Sequence, residues 1–379
     1  MQITKLLVFF LTGIILVGCS SNQKRKDSSD EDSGQTHVET IEEEKIELPP
    51  LEAEQISYKN KNPFGTDIEL AGKQFFIDTI IFKVRETQMI VKNEILGVQN
   101  YAQNQFFMRY SIPEVNFLSM EGNQGNGPDE FLFPNLIPTP DPTLLAYIME
   151  GTNEKLYKWD KSGNIVPYEY SLFNSKIDFS SDKQLINIAP DDFLYVAASR
   201  TGKSIFRIQV INDSIQTREV LNLALNPKRK SWTNYVGDFV ANPKLNRMAY
   251  AYKYFKIIKF MDMEAKTIKT INFEREEFDE STNYVINGMD QNVTHYWGAC
   301  AGEKYVYFLY SGRKPVEVMR ENNKKTHYIY IEQYDWNGNP VAKYKLDRWG
   351  YFTVDEKNKA IYLASTNDDD PFFVFKMPE

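Results

Sequence analysis

A turn that follows an aromatic-rich strand recurs along this chain at intervals of about 50 residues. Turns with Asp or Asn lie at Asp160, Asn212 and Asp262, and a looser one lies at Ser111, so the intervals are 49, 52 and 50 residues. The next turn, at Asp335, follows after 73 residues. Asp and Asn side chains hydrogen-bond their own backbone in tight turns, which is why hairpins concentrate them. A period near 50 residues is the length of one four-stranded blade, and it predicts a β-propeller.

The repeat predicts five blades, at residues 84–120, 134–173, 183–224, 232–275 and 293–346. A sixth blade takes three strands from residues 349–377 and its fourth strand from residues 67–77. Strands from both chain ends then close the ring and remove open sheet edges. We therefore expect an all-β fold, a six-bladed β-propeller of four-stranded blades over residues 65–379. Two polar stretches lengthen the last interval, residues 274–292 and 314–327, and both are expected to be loops.

Composition and charge exclude some functional classes. Phe and Tyr number 25 and 23 among 379 residues, which suits half-buried pleated surfaces more than helix bundles. The formal net charge is -8 and no basic stripe stands out, so no nucleic-acid partner is expected. Only Cys300 remains besides Cys19, so the fold is expected to lack a disulfide and to depend on its core alone.

The N-terminus has the pattern of an export signal. Lys5 precedes an apolar run over residues 6–17, which is too short to span a bilayer. The run ends in Leu-Val-Gly-Cys19, which resembles the lipobox of bacterial lipoproteins. The resemblance implies a signal peptide at residues 1–18 and acylation of Cys19, with palmitate-type chains that anchor the protein to a membrane. Two or three acyl chains give stable anchoring, whereas one chain does not.

Residues 19–55 are expected to be a disordered tether behind the lipidated cysteine. The segment is rich in charge and nearly free of aromatic residues, so it cannot bury enough apolar surface to offset the entropy of ordering. Its acidic residues resemble the surface-export signals of Bacteroidota lipoproteins, but the basic triplet at residues 24–26 comes first. We expect a lipid-anchored protein of the cell envelope, at the outer membrane, and the periplasmic and surface-exposed sides both remain open.

Two parts of the chain resemble the TolB-like six-bladed propeller lipoproteins of Bacteroidota. One is the closing run, which contains Leu-Tyr-Ser-Gly-Arg313 and Asp335-Trp-Asn-Gly-Asn-Pro-Val. The other is Gly125-Asn-Gly-Pro-Asp-Glu-Phe131, which matches a Gly-x-Gly-Pro-x-Glu-Phe turn that follows the first blade. The resemblance extends over residues 65–379 and implies the fold and the location, but no settled activity. The Asp-x-x-Gly turn lacks its glycine in the third and fourth blades.

Four residues are candidates for a binding face. Asn126 and Glu130 lie in the Gly-rich turn, whose consecutive backbone N–H groups suit an anion. The structural alternative is that the glycines allow positive φ and that Phe131 packs under the next blade. Arg200 and Arg313 follow strands near predicted turns, where each meets an anionic partner or forms a salt bridge on the rim.

The sequence offers no catalytic residues. It contains neither a Gly-x-Ser-x-Gly elbow nor an HExxH motif, and its three His are too few and too scattered for a metal site. Cys300 lies in an apolar strand, where a thiol is usually an inert small hydrophobe. The acidic pairs that a glycosidase needs are represented only by Asp191-Asp192 and residues 368–370, which are expected to be solvated turns. No metal and no cofactor are expected.

The five tryptophans are expected mostly to pack between blades, with one or two exposed: Trp159, Trp232, Trp297, Trp336 and Trp349. An exposed one could stack on a sugar ring. We expect a non-catalytic binding or scaffold module for a protein, peptide or glycan. The alternative is a glycan hydrolase or lyase with its site at the propeller funnel, which rests on fold analogy.

Overall fold

Six β-sheets of four or five strands account for most of the described chain. The structure is a computed structural model, and it describes residues 46–48, 55–59, 61–75, 87–102, 104–151, 154–173, 184–200, 202–226, 228, 232–273, 285–286, 289–290, 292–324 and 326–379. The expected signal peptide and Cys19 lie outside these residues.

The first three strands belong to the last three blades: β1 (Gln55–Ser57), β2 (Ile68–Leu70) and β3 (Lys73–Gln74). Blade 1 contains β4 (Gln88–Lys92), β5 (Ile95–Ala102), β6 (Gln105–Ser111) and β7 (Asn116–Asn123). Blade 2 contains β8 (Pro134–Ile137), β9 (Leu144–Glu150), β10 (Leu156–Asp160) and β11 (Ile165–Pro167). Blade 3 contains β12 (Gln184–Ala189), β13 (Asp192–Ser199), β14 (Gly202–Ile211) and β15 (Ser214–Asn222).

Blade 4 contains β16 (Gly237–Asn242), β17 (Arg247–Tyr252), β18 (Ile257–Met261) and β19 (Thr267–Asn272). A small hairpin follows, formed by β20 (Val285–Ile286) and β21 (Met289–Asp290). Blade 5 contains β22 (Thr294–Ala301), β23 (Tyr305–Arg313), β24 (Ile329–Asp335) and β25 (Pro340–Leu346), with helix α1 (Pro315–Asn323) between β23 and β24. Blade 6 contains β26 (Gly350–Asp355), β27 (Ala360–Ser365), β28 (Phe372–Lys376) and β3.

Each blade is an antiparallel meander, and the first strands of the blades form the inner ring. Every first strand contacts the first strand of the next blade, and β26 of blade 6 contacts β4 of blade 1. The prediction of a six-bladed propeller is therefore confirmed. The prediction of a loop at residues 314–327 is wrong, because this stretch contains α1. The helix begins at Pro315 and carries Glu317 in its first turn. Both residues favour a helix N-terminus.

The two chain ends meet in blade 6. Strand β3 pairs with β28 through Gln74 opposite Phe373 and Lys73 opposite Val374, as the expected strand at 67–77 requires. Strands β1 and β2 lie parallel to the outer strands of blades 4 and 5 and give those blades a fifth strand. These two blades therefore exceed the four strands expected. The N-terminal segment covers two sheet edges that would otherwise expose unpaired backbone groups.

The strand directions give the ring two distinct faces. The connections between consecutive blades, and the loops between second and third strands, lie on one side, which we call the upper face. The turns between first and second strands and between third and fourth strands lie on the other side, the lower face. The assignment follows from the antiparallel order of each sheet.

Aromatic side chains form the packing between blades. Trp159 of blade 2 is fully buried and lies 5.3 Å from Phe107 of blade 1. Phe260 of blade 4 lies 6.0 Å from Tyr334 of blade 5. Burial of one such side chain contributes roughly 2–3 kcal/mol. Because Cys300 is a free thiol and no other cysteine lies in the described residues, these contacts hold the blades together.

The Asp turns of the lower face share one hydrogen-bonding scheme. The Asp262 carboxylate accepts from the backbone N–H of Glu264 and Lys266 at 3.0 and 2.9 Å. Asp160 and Asp335 bind the equivalent N–H groups of their turns. Ala265 adopts φ 63° in place of the missing glycine. The turn of blade 4 thus keeps the scheme without glycine, at the cost of left-handed backbone.

Blade 3 also lacks the turn glycine, and its last two strands are joined by a different type of turn. Asn212 and Asp213 both have positive φ, 50° and 58°, and they join β14 to β15 as a two-residue hairpin. Asn and Asp tolerate this conformation better than other residues with side chains. The strand registers of blades 3 and 4 are therefore defined although both turns depart from the Asp-x-x-Gly pattern.

Basic side chains link neighbouring blades on the lower face. Arg109 of blade 1 donates to the Lys161 and Ser162 carbonyls of blade 2 at 2.7 and 2.8 Å. Arg207 of blade 3 binds Glu264 of blade 4 at 2.7 Å. Arg207 also pairs with Asp192 at 2.6 Å. Asp192 is buried, so its assignment to a solvated turn is wrong.

Removal of the N-terminal strands tests ring closure. A chain that lacks residues 1–75 loses β1, β2 and β3 and exposes the edges of three blades. It also loses the buried Leu70 side chain. We expect its Tm to fall by at least about 5 °C, measured by thermal unfolding. A chain that lacks only residues 1–45 keeps every described strand and serves as the control. Equal Tm values for the two chains would contradict this role of the N-terminal strands.

Candidate functional site

A belt of side chains connects the inner strands near the upper face. The Gln88 side chain of blade 1 accepts from the Leu136 N–H of blade 2 at 2.6 Å. Gln184 of blade 3 accepts from Phe239 N–H of blade 4 at 2.5 Å. Asp238 of blade 4 accepts from the Gly298 N–H of blade 5 at 2.7 Å. Each bond fixes the first strand of one blade against the next, so the belt determines the shape of the upper end of the channel.

Asp238 is the only one of these three belt side chains that carries a carboxyl group. Burial raises its pKa, while the Gly298 hydrogen bond and the positive charges of Lys253 and Lys203 act in the opposite direction. Lys203 is itself buried, with its ammonium 5.5 Å from the ring centre of Trp232. Both ammonium groups therefore favour the ionised form of the Asp238 carboxyl group.

Trp297 is the exposed tryptophan beside this carboxyl group. Its side chain is 44% exposed, whereas Trp159, Trp336 and Trp349 are buried. The prediction that most tryptophans pack inside and one or two are exposed is confirmed. The Lys253 ammonium lies 4.8 Å from the ring centre of Trp297. The rings of Trp349 and Trp297 form a T-shaped contact, with their centroids 5.9 Å apart and an interplanar angle of 85°. We call the group Lys203, Asp238, Lys253 and Trp297 the upper mouth.

Local backbone geometry directs Trp297 outward. The pairing of β22 with β23 is irregular between Tyr296 and Ala299, and Gly298 in this bulge has φ 131°. A bulge re-aims side chains and bends its strand. A side chain at Gly298 would be strained at this φ, so the glycine is required here. The sequence therefore places Trp297 on the surface although its neighbour Tyr296 is fully buried.

The strands that carry Lys253 and Trp297 are tied together. The His295 N–H donates to the Lys253 carbonyl at 2.7 Å, and the Lys253 N–H donates to the Val236 carbonyl at 2.9 Å. The first bond joins blade 5 to blade 4 two residues before Trp297. The backbone of both mouth residues is therefore held at a fixed separation.

A buried ion cluster supports the mouth from behind. The fully buried Glu332 carboxylate lies 3.5 Å from the Lys343 ammonium and 3.8 Å from that of Lys256. It also accepts from the Tyr296 and Tyr334 hydroxyls at 3.1 and 3.0 Å. A buried carboxylate is tolerated only with such compensation. Lys256 belongs to blade 4 and the other four residues to blade 5, so the cluster connects these blades.

The four residues predicted as a binding face all lie at the upper face, but the structure does not bring them together. Asn126 and Glu130 belong to the loop between blades 1 and 2, Arg200 to blade 3 and Arg313 to blade 5. Asn126 and Arg200 are exposed. Arg313 is buried; it pairs with Glu321 of α1, and its guanidinium stacks 3.9 Å from the ring centre of Tyr328. It supports the mouth through Trp349, which lies 5.7 Å away.

The Gly-rich turn uses its own groups internally. The Glu130 carboxylate accepts from the Gly127 N–H at 2.7 Å. A Cβ at Gly125 would lie 1.9 Å from the same carboxylate, so only glycine fits without displacement of Glu130. Phe131 is buried, 4.9 Å from the ring of Tyr157. These contacts favour the packing interpretation of the turn over an anion site.

Burial shifts the pKa values of two side chains considered for catalysis, His295 and Cys300. Burial and the charge of Lys256 lower the pKa of His295 to about 3, so its imidazole is neutral. Burial raises the pKa of Cys300 to about 11, which disfavours the thiolate. Within the described ranges, no three side chains are arranged to bind a metal ion. None of the helices in the same ranges has the length and apolar character needed to cross a bilayer.

Comparison with known proteins agrees with this architecture. The sequence profile of the TolB-like 6-blade propeller family matches residues 76–357. The chain belongs to the TolB-like propeller family. This TolB-like propeller superposes on a DUF4221-family member from Bacteroides vulgatus with a TM-score of 0.53 and 12% sequence identity. The alignment covers 82% of this chain and 96% of that one. A putative exported protein from Bacteroides fragilis superposes with a TM-score of 0.49 and 11% sequence identity, and the alignment covers 85% of this chain and 98% of that one. A search of curated proteins gave no match. At these identities the likeness concerns the fold alone.

Sequence reasoning missed most of the upper mouth of this TolB-like propeller. Lys203, Asp238 and Lys253 were not singled out, and Trp297 was noted only among five tryptophans. One signal was available: a polar residue is first or second in the first strand of several blades, as Gln88, Gln184 and Asp238 are. The bulge at Gly298 could not be read from the pattern, because it depends on how blade 5 meets blade 4.

The variant Asp238→Asn tests the electrostatics of the mouth. The folded state raises the pKa of Asp238, so its ionisation costs stability, and this cost is complete above the folded-state pKa. The cost declines as the pH falls below the folded-state pKa, and it is absent below the lower pKa of the unfolded chain. Asn keeps an acceptor for the Gly298 N–H. We expect its free energy of unfolding in urea to exceed that of the wild type at pH about 7.5 and to converge with it at low pH.

The matched variant Asp238→Ala removes the acceptor as well. It should be less stable than Asp238→Asn at every pH, because the Gly298 N–H then loses its partner. A lower stability of Asp238→Asn than of the wild type at neutral pH would contradict the account, since attraction by Lys253 and Lys203 would then outweigh burial.

Proposed function

We propose that this protein is a lipid-anchored, non-catalytic binding module of the cell envelope, and that it binds its partner at the upper mouth. The observation that carries the proposal is the exposed Trp297, supported from below and accompanied by the Lys253 ammonium. Rigid exposed aromatic side chains flanked by polar groups characterise binding sites. The partner is a protein, a peptide or a glycan.

The arrangement of charges favours binding over hydrolysis. A glycosidase needs two carboxyl groups that face each other across the scissile bond. The charged groups with the largest effect on the pKa of Asp238 are Lys253 and Lys203, and both are cations. The raised pKa of Asp238 is thus accounted for by burial in the belt, and it does not require a catalytic role.

The membrane anchor completes the proposal. The Leu-Val-Gly-Cys19 sequence supports acylation of Cys19, and the segment between Cys19 and β1 would hold the propeller away from the bilayer. A tethered ring with one recognition face can meet a partner that is itself fixed in the envelope. We propose an outer-membrane location on the same basis.

The variant Trp297→Ala tests the binding site. Thermal unfolding of the mature protein in detergent is measured with a panel of oligosaccharides and peptides, since a ligand at a hundred times its Kd adds about 2.7 kcal/mol. We expect at least one ligand to raise the Tm of the wild type, and Trp297→Ala to abolish that shift. Phe117→Ala is the control, because Phe117 is 50% exposed on the outer strand of blade 1. A ligand shift that survives Trp297→Ala would contradict the proposed site.

The variant Cys19→Ser tests the anchor. We expect the wild type to remain with the membrane fraction and to incorporate an alkyne analogue of palmitate, and the variant to lose both properties. Cys300→Ser is the matched control, because Cys300 lies within blade 5 beside Thr353. It should behave as the wild type. Membrane association of Cys19→Ser would show that the anchor lies elsewhere.

A further inference from the structure

An ammonium group lies beside the exposed indole of the upper mouth. The Lys253 ammonium is 4.8 Å from the ring centre of Trp297. Lys203 is buried against Trp232, and Lys256 is engaged by Glu332 at 3.8 Å. Lys253 is therefore the cation that accompanies the exposed ring, and charge complementarity with it favours an anionic ligand.

The exposed indole adds a flat apolar surface beside this charge. The face of an aromatic ring carries partial negative charge, so it packs well against C–H groups that carry partial positive charge. The C–H face of a pyranose ring offers such a surface. Trp297 is held in orientation by the edge of Trp349 and by the bulge at Gly298, so little conformational freedom is lost on stacking.

The distance between charge and ring limits the ligand further. The Lys253 ammonium lies 4.8 Å from the indole centre, within the breadth of one sugar ring. A carboxyl group bonded directly to a sugar ring carries its charge at the edge of the flat surface that stacks. A glutamate side chain in a peptide offers the charge without the ring.

Resting on the proposed binding function, we propose that the upper mouth binds glycans through a carboxylated sugar ring, as found in uronic and sialic acids. The sugar ring stacks on Trp297, and its carboxylate exchanges the Lys253 contact with the indole for an ion pair. Lys203 and the belt residue Asp238 maintain the charge and shape of the site beneath. The Lys253 ammonium is a compact charge with three donors, which suits a carboxylate of variable orientation.

Titration calorimetry with matched ligands tests this inference. The mature protein in detergent is titrated with tri-galacturonate and with its methyl ester, which has the same rings without the charge. Sialyllactose and lactose form the second pair, and they distinguish sialic from uronic acids. We expect at least one acid to bind about tenfold or more tightly than its neutral counterpart. Equal affinity for the acid and its neutral counterpart in both pairs would overturn the inference. Hexaglutamate binding as tight as that of the preferred acid would also overturn it, because that peptide carries carboxylates without a sugar ring.

Three variants assign the effect to the residues. Lys253→Gln should lose the preference for the acid and leave the affinity for the neutral ligand unchanged. Trp297→Phe should lower the affinity for both ligands by a similar factor, because both sugar rings would then stack on a smaller aromatic ring. Lys161→Gln, an exposed lysine of the lower face, is the control and should change neither affinity. Thermal unfolding of each variant verifies folding. Retention of the acid preference in Lys253→Gln would overturn the inference.

The outcomes separate this inference from the proposed function. If a neutral glycan or a peptide binds in a Trp297-dependent manner and no acid is preferred, the binding module stands and the carboxylated ligand is wrong. If binding of every tested ligand is independent of Trp297, the proposed site fails together with the inference.

Discussion

Closure of the ring depends on the pairing of β3 with β28. Without a disulfide in the described chain, this short contact is what joins the start of the propeller to its end. It places blade 6 beside blade 1, so the inner strands β26 and β4 can meet. The N-terminal segment reaches this point along the edges of blades 4 and 5, and it protects both from pairing with other chains.

The two faces of the closed ring use charged side chains differently. On the lower face Arg109 and Arg207 bind the turns of the next blade, so these cations stabilise the architecture. At the upper face the hydrogen bond from Gly298 to Asp238 draws blade 5 against blade 4, and the bulge turns Trp297 outward. The ring supplies the rigidity, and the bulge supplies the exposed aromatic surface. Rigid presentation lowers the entropy cost of binding, which is the physical basis for the proposed recognition role.

The sequence predicts the fold better than the site, for a physical reason. The blade period and the closing strand at 67–77 follow from local patterns, because each blade is a contiguous set of strands. The helix at Pro315 was missed because polar sequence there resembles a loop, although the proline and Glu317 are helix-start signals. Asp192 was assigned to solvent because its partner Arg207 is contributed by a neighbouring strand. The upper mouth joins residues from three blades, and no linear pattern contains such a contact.

Hydrogen–deuterium exchange of the mature protein, with and without the oligosaccharide or peptide that raises its Tm most, tests the central claim that the upper mouth is the recognition surface. The account predicts slower exchange in β22 around Gly298 and in the loop that carries Lys253, with the lower-face turns at Asp160 and Asp335 unchanged. Protection at the lower-face turns, or equal exchange throughout the chain, would contradict it.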